Sequence, residues 1–312
     1  MSDGRPPVPG GQRSLWRSAR FPILWVGAPL LLVMLFTVLP IGHTLWTSLH
    51  SAHFLFPDEL HWSGLDNYRK VIKGPFFLTT LKNSLLFTLV TAPAVVGLGI
   101  LTALLLRRRF LGRTVLRSVV LLPWVLPGAI TAVLWIWVFN PSWGMLNGAL
   151  RDLGLIESSI PWLSDPDLAF ASVAVAHGWS QVPFAVVLLL AALSTIDPAL
   201  FEAARIDGAN AWQRFRFVVW PAIKAMVVVL LVYNALTAFT TYDVVYAMTG
   251  GGPGTATSLL SFQIWRESFS MYDFGAGSAV AFLVVAMAAL MIVIITRALP
   301  SDLFAVGEDS AP

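Results

Sequence analysis

Six runs of about twenty residues or more, none containing a lysine or arginine, recur along this 312-residue chain. They fall at 21–42, 83–106, 118–139, 168–193, 225–247 and 274–296, and only the fifth contains an acid, Asp243. A bilayer core of roughly 30 Å takes about 20 helical residues to cross. The runs are continuously apolar, without the alternation of a barrel strand, so they predict helices. The expected fold class is all-α, a polytopic membrane protein with six transmembrane helices. Composition agrees: 12% of residues are charged, against about 25% in a typical soluble domain. Prolines 29, 93, 123, 127 and 183 lie inside runs, where they are expected to kink helices and free carbonyls.

Residues 1–20 are rich in Gly, Pro and Arg and read as a disordered tail. The apolar run that follows is too long for a signal peptide and has no small-residue cleavage pattern, so it reads as a retained anchor. Fourteen of the 20 Lys and Arg residues fall on the side of the N-terminus, among them five in "RRRFLGRTVLR" and a group around 205–224. By the positive-inside rule both termini are expected in the cytoplasm. The two long opposite-side loops, rich in Trp, Phe and Pro, suit interfacial anchoring or contact with a partner. Within the second, "GMLNGALRDLGL" predicts a short helix on the membrane surface.

One cytoplasmic segment stands apart. "EAARIDGANAWQRFRFVVWPAIKA", 202–225, holds two acids, three arginines and a lysine between nearly uncharged stretches. Asp197-Pro198 is a helix start, and Gly208 a helix stop. A second short helix is expected to lead to Pro221 and the fifth span. Ala199, Glu202, Ala203 and Ile206 share one face by i, i+3, i+4, i+7 spacing. That narrow, small-residue face fits a groove in another protein, and spacing alone equally describes an amphipathic helix on lipid headgroups.

The segment resembles the EAA loop of binding-protein-dependent ABC importer permeases: Glu202, Ala203, Ala204, Asp207, Gly208, Ala209, Phe215, Val218 and Pro221 match, with Trp220 where leucine is usual. "GLDNYRKV", "LLPWVLPGAI", "WGMLNGAL" and "MTGGGPGTAT" are similar to further landmarks of the sugar-type permeases of the maltose and glycerol-3-phosphate systems. The resemblance covers about 21–298. It implies a type I ABC importer permease fold in compact six-span form: a first helix at 21–42, a five-helix core at 79–298 with a coupling loop at 195–222, and a cytoplasmic tail at 299–312. It further implies that Glu202, Ala203, Ala204, Ile206, Asp207, Gly208, Phe215 and Pro221 couple to a cytoplasmic ATPase. The implied partners are a second permease subunit, two ATPase subunits that bind ATP and Mg, and an extracellular or periplasmic solute-binding protein delivering a sugar, in a bacterial or archaeal cytoplasmic membrane.

Polar groups inside spans mark the candidate pathway. Asn234, Thr237 and Thr241 form one stripe suited to a sugar or to interhelical hydrogen bonds. Asp243 is expected about 180° round that helix from Asn234, as a solvated carboxylate, a partner of Arg266 or a substrate contact. Gln181, Trp135, Trp137 and Trp179 can bond or stack on a sugar, or anchor at the interface. His177 reads as a packed, hydrogen-bonded histidine rather than a proton relay.

Other chemistries find little support. "TGGGPGTATS" lacks the Gly-Lys-Ser/Thr ending of a phosphate loop and reads as an outer turn facing a binding protein. No catalytic cluster, metal spacing, cysteine or cofactor motif occurs, so the chain is not expected to be an enzyme. Basic residues form no separate domain, which argues against nucleic acid. A secondary transporter would need coupling charges at the midplane and inverted repeats, and only Asp243 is available. Glycerol phosphate or another small polar solute is the alternative cargo; the spans carry no positive charge to attract an anion.

Overall fold

The computed structural model describes residues 27–298 apart from 28, 57, 59 and 109. The expected tails, and the first six residues of the run at 21–42, lie outside this set. Helix α1 spans Pro29–Ser48. After a two-stranded antiparallel ribbon (β1 His50–Ser51, β2 His61–Trp62) come α2 (Asp66–Lys73), α3 (Phe77–Arg107), α4 (Arg113–Val125), α5 (Gly128–Val138) and α6 (Met145–Asp152). Next are α7 (Pro166–Ser194), α8 (Pro198–Ile206) and the continuous α9 (Ala211–Thr240). The chain closes with α10 (Asp243–Thr249), α11 (Leu260–Trp265) and α12 (Phe274–Ala298). By length and apolarity α1, α3, α7, α9 and α12 can each cross a membrane, and α4 with α5 can make a sixth, broken span.

Two of the six expected spans are corrected. The run at 118–139 is two helices meeting at 106°. Pro127 cannot donate a backbone hydrogen bond and drives Leu126 to ψ 132°, out of the helical region. The run at 225–247 ends at Thr240, because Thr241 turns extended at ψ 134° and its carbonyl accepts from Ser261 Oγ instead of from a further helical turn. Asp243 therefore starts a new helix and does not lie round α9 from Asn234. Two prolines have less effect than expected: α3 and α7 run on through Pro93 and Pro183.

At the centre, α3 packs along α7 and α9. The seam is built from small side chains: Gly99, Ala103, Ala185 and Ala235 are buried there with Val95, Val186, Leu189 and Leu230 between them. Lipid tails are as apolar as leucine, so close approach and dispersion hold such helices together. A second cluster around Phe87, Ala176, Ala238 and Val245 joins α5 and α10 to this core. A third around Val71, Phe239, Leu260 and Val280 seats α12.

Buried amides tie the end remote from α8. Asn67 Nδ2 donates to the carbonyls of Ser48 (2.9 Å) and His50 (2.8 Å), fastening α2 to the end of α1. Asn83 Nδ2 lies within bonding distance of three carbonyls of the glycine-rich loop, those of Thr255, Ala256 and Ser258. That loop closes on itself, with Ser258 Oγ donating to Gly251 O (3.0 Å) and Thr257 Oγ1 to Gly252 O (2.8 Å). Gly251, at φ +81°, is packed so closely that a Cβ would meet Phe262 at 2.7 Å.

Asn147, fully buried, does the same for the loop after α6. Its Nδ2 donates to Ile160 O (3.0 Å), and its Oδ1 accepts from the Ile160 N–H (3.3 Å) and Trp162 Nε1 (3.0 Å). Asn147→Leu leaves those groups unpaired, at a cost of about 2 kcal/mol. The expected result is faster trypsin cleavage after the exposed Arg151, by about 30-fold, measured on gels.

Candidate functional site

Two features of the sequence gain geometry here: the polar segment 195–222 and the polar groups of the spans.

Helix α8 begins as expected, with Asp197 Oδ1 accepting from the Ala199 N–H (2.8 Å) and Pro198 in the first turn. It ends in a Schellman turn: Gly208 takes φ +72°, its N–H donates to Arg205 O (3.1 Å), and the Ala209 N–H to Ala204 O (2.9 Å). A residue with a Cβ at 208 would be strained in that left-handed conformation. Asn210 then opens α9 with a reciprocal capping box: the Gln213 N–H donates to Asn210 Oδ1 (2.9 Å) and the Asn210 N–H to Gln213 Oε1 (2.7 Å).

The expected second short helix is corrected: it is the first part of α9. A π-helical turn at Phe215–Val219 carries the helix across Pro221. The Trp220 N–H reaches Phe215 O, one residue further back than in an α-helix, which absorbs the register lost at the proline. The span thus grows rigidly out of the polar loop.

No residue of α8 is buried. Phe201 and Ala204 are half-covered on the side facing the bundle, where the Arg107 guanidinium lies 4.0 Å from the Phe201 ring centre. Glu202, Ala203, Asp207 and Gly208 are exposed, and Ile206 is 86% exposed. Phe215 stacks near Trp212 (5.7 Å between ring centres) and joins the α3–α7–α9 core. The loop is therefore a preformed knob, anchored by Phe201 and Phe215 and offering small and aliphatic side chains outward.

The second feature is a polar cavity of about 310 Å³ where the two broken spans meet. Gln181, Thr237, Thr241 and Asp243 line it, together with His177, Ser180, Tyr233, Thr240, Trp124 and Gly128. Breaking the α4–α5 span at Pro127 puts Gly128 against α10, so closely that a Cβ there would lie 2.9 Å from Asp243 Cβ. Ending α9 at Thr240 swings Asp243 round to the same cavity as Gln181. Sequence reasoning missed Ser180, Tyr233, Thr240, Trp124 and Gly128. The available signal was Pro127-Gly128, a break that had to expose backbone.

Three of its five hydroxyls already donate within their own helices. Thr237 Oγ1 donates to Asn234 O (3.1 Å), Thr240 Oγ1 to Leu236 O (2.8 Å) and Ser180 Oγ to His177 O (2.8 Å). Gln181 Oε1 is buried without a partner. The cavity therefore presents the lone pairs of these three hydroxyls and the Asp243 carboxylate beside the Tyr233 and Thr241 hydroxyls, which suits a solute rich in hydroxyl groups.

Other candidates are placed elsewhere. Asn234 is 1% exposed and donates Nδ2 to Leu230 O (2.8 Å), leaving Oδ1 unpaired inside the bundle. Trp135 and Trp179, edge to face at 5.8 Å, line an apolar groove between α3, α4 and α7. Arg266 lies over the Phe76 ring and 3.6 Å from Glu267, so, of the alternatives for Asp243, the pairing with Arg266 is not formed. His177 is packed as expected against Phe87, but no side-chain hydrogen bond to it occurs among the described residues.

The sequence of residues 95–299 matches the family described as "Binding-protein-dependent transport system inner membrane component". Relatives include the trehalose/maltose transport system permease protein MalF of Thermococcus litoralis, 36% identical over 86% of this chain and 90% of its own length. The sulfoquinovosyl glycerol transport system permease protein SmoG of Agrobacterium fabrum is 34% identical over 85% of each chain. In fold, the chain is similar to one from a bacterial ABC transporter that imports the acidic polysaccharide alginate, with TM-score 0.77 and 21% identity over 91% of this chain and 98% of that one. A multi-pass helical chain with these relatives is a transport permease, and it belongs to the binding-protein-dependent transport system inner membrane component family.

Proposed function

We propose that this chain is one of two permease subunits of an ATP-driven importer and forms with the second the membrane pathway for a sugar or oligosaccharide. An external solute-binding protein delivers the ligand, and two cytoplasmic ATPase subunits, which hold ATP and Mg, supply the energy. Helix α8 docks in a cleft of an ATPase subunit. ATPase closure draws such knobs together and rocks the span bundles between inward- and outward-facing states. Both termini lie in the cytoplasm of a bacterium or archaeon by the distribution of Lys and Arg.

The observation that carries this reading is the exposed α8 knob, rigidly continuous through the π turn with a span that lines the polar cavity. The sugar assignment is supported by the polar lining, free of lysine and arginine among the described residues, and by a relative whose name specifies trehalose and maltose. Reconstitution of the complete complex tests it. ATP hydrolysis stimulated by sugar-loaded binding protein is the expected result, and transport by this chain alone on an ion gradient would overturn it.

Within that complex, Gln181→Ala is expected to raise the sugar concentration needed for half-maximal uptake by about tenfold. That is the effect of losing one buried acceptor worth roughly 1.4 kcal/mol. An unchanged concentration dependence would remove Gln181 from the pathway.

A further inference from the structure

We infer that Asp243 makes the polar cavity a charge filter, which accepts neutral and cationic sugars and rejects anionic ones. The inference rests on the cavity being the solute pathway, and it names the class of solute that the pathway takes.

Among the described residues, Asp243 is the one carboxylate lining the cavity, and no lysine or arginine lines it. Among the described residues no ion pair or hydrogen bond engages this carboxylate, and none joins it to His177 on the facing helix. Its depth follows from its neighbours. His177, Ser180 and Gln181 occupy the middle turns of α7, a helix of 29 residues, so Asp243, the first residue of α10, sits near the midplane and not at the membrane surface. Asp243 is also exposed on the single chain. A carboxylate at that depth is tolerated only beside water or a cation, and the open face of a two-permease pathway provides the first.

The surroundings add to its effect. The hydroxyl oxygens of Ser180, Thr237 and Thr240 add acceptor character to the lining, since their protons are committed to helix carbonyls. A sugar hydroxyl meets this lining with its proton. A carboxylate or sulfonate on the sugar meets a like charge, with no lysine or arginine in the described lining to compensate. The low-dielectric helix walls then strengthen the repulsion relative to water.

The test is equilibrium binding of three probes of similar size to the purified complete complex: glucose, glucosamine and glucuronate, followed by saturation-transfer NMR. Wild-type protein is expected to bind glucuronate roughly 30-fold more weakly than glucose, as for like charges about 8 Å apart at an effective dielectric near 20. Glucosamine binds at least as well as glucose. Asp243→Asn brings the three within about threefold of one another, and Asp243→Glu restores the discrimination. Unchanged discrimination in Asp243→Asn, with glucose binding still weakened by Gln181→Ala, would overturn the filter and leave the pathway standing. If neither substitution moved any probe, the pathway reading itself would fall. Asp243→Asn failing to assemble with the second permease, while Asp243→Glu assembles, would mean that the carboxylate is held by a partner's cation, and the filter would be wrong.

Discussion

Ile206→Arg is expected to cut ATP-driven solute uptake by about 100-fold while the protein still inserts and folds. The side chain is 86% exposed and no residue of α8 is buried, so the isolated chain loses no packing. Exposed substitutions of this kind stay within about 0.5 kcal/mol. In the importer proposed above the same face enters a partner's cleft. A buried arginine with no counter-charge there forfeits the burial of an aliphatic anchor and adds a desolvation cost, together roughly 3 kcal/mol. Uptake into proteoliposomes, set against the melting temperature of the permease pair, separates the two effects. Uptake at the wild-type level would mean that α8 lies on lipid headgroups and touches no motor.

The second large effect is structural. Gly99→Val is expected to destabilise the bundle by about 3 kcal/mol and to lower the yield of folded protein. A Cβ at 99 would lie 2.8 Å from Ala185 Cβ and 3.4 Å from Leu189 Cδ1, with the Ala185 backbone at 3.6 Å, so α3 and α7 would have to separate along their seam. Overpacking of this kind costs about 1–3 kcal/mol even where side chains can yield, and a methyl carbon on another helix cannot rotate away. Gly97→Val, two residues along the same helix, is the control, because nothing lies within 4 Å of its added Cβ. Thermal unfolding in detergent should distinguish them, and equal stability of the two variants would show that the seam is not close-packed.

Much of the structure of segment 195–222 was legible in the sequence. Asp197-Pro198, Gly208 and the polar run 202–225 each act through local backbone chemistry, and the cap, the left-handed turn and the exposed face all formed where the residues indicated. The π turn did not announce itself, because Phe215–Val219 fits an α-helix or a π-helix equally until Pro221 forces a choice. The polar cavity was less legible. Thr237, Thr241, Gln181 and Asp243 were identifiable as polar groups in apolar runs, but an unbroken helix at 225–247 would have sent Asp243 to the far side. Pro127 marked one break. The end of α9 at Thr240 depends on Ser261, twenty residues away in the chain, and no local pattern records that contact.

By itself, the sequence determined the number and rough extent of the apolar runs, their helical character and the boundaries of α8. These follow from the thickness of hydrocarbon and from hydrogen bonds within a few residues, and both are written in adjacent side chains. Only the tertiary structure decided which polar groups share a cavity, that Arg266 is spent on Phe76 and Glu267, and that Asn234 turns inward. In a bundle without a hydrophobic drive between helices, small residues such as Gly99 and Ala185 set how closely two spans approach, and that choice of neighbours fixes where each polar side chain ends up.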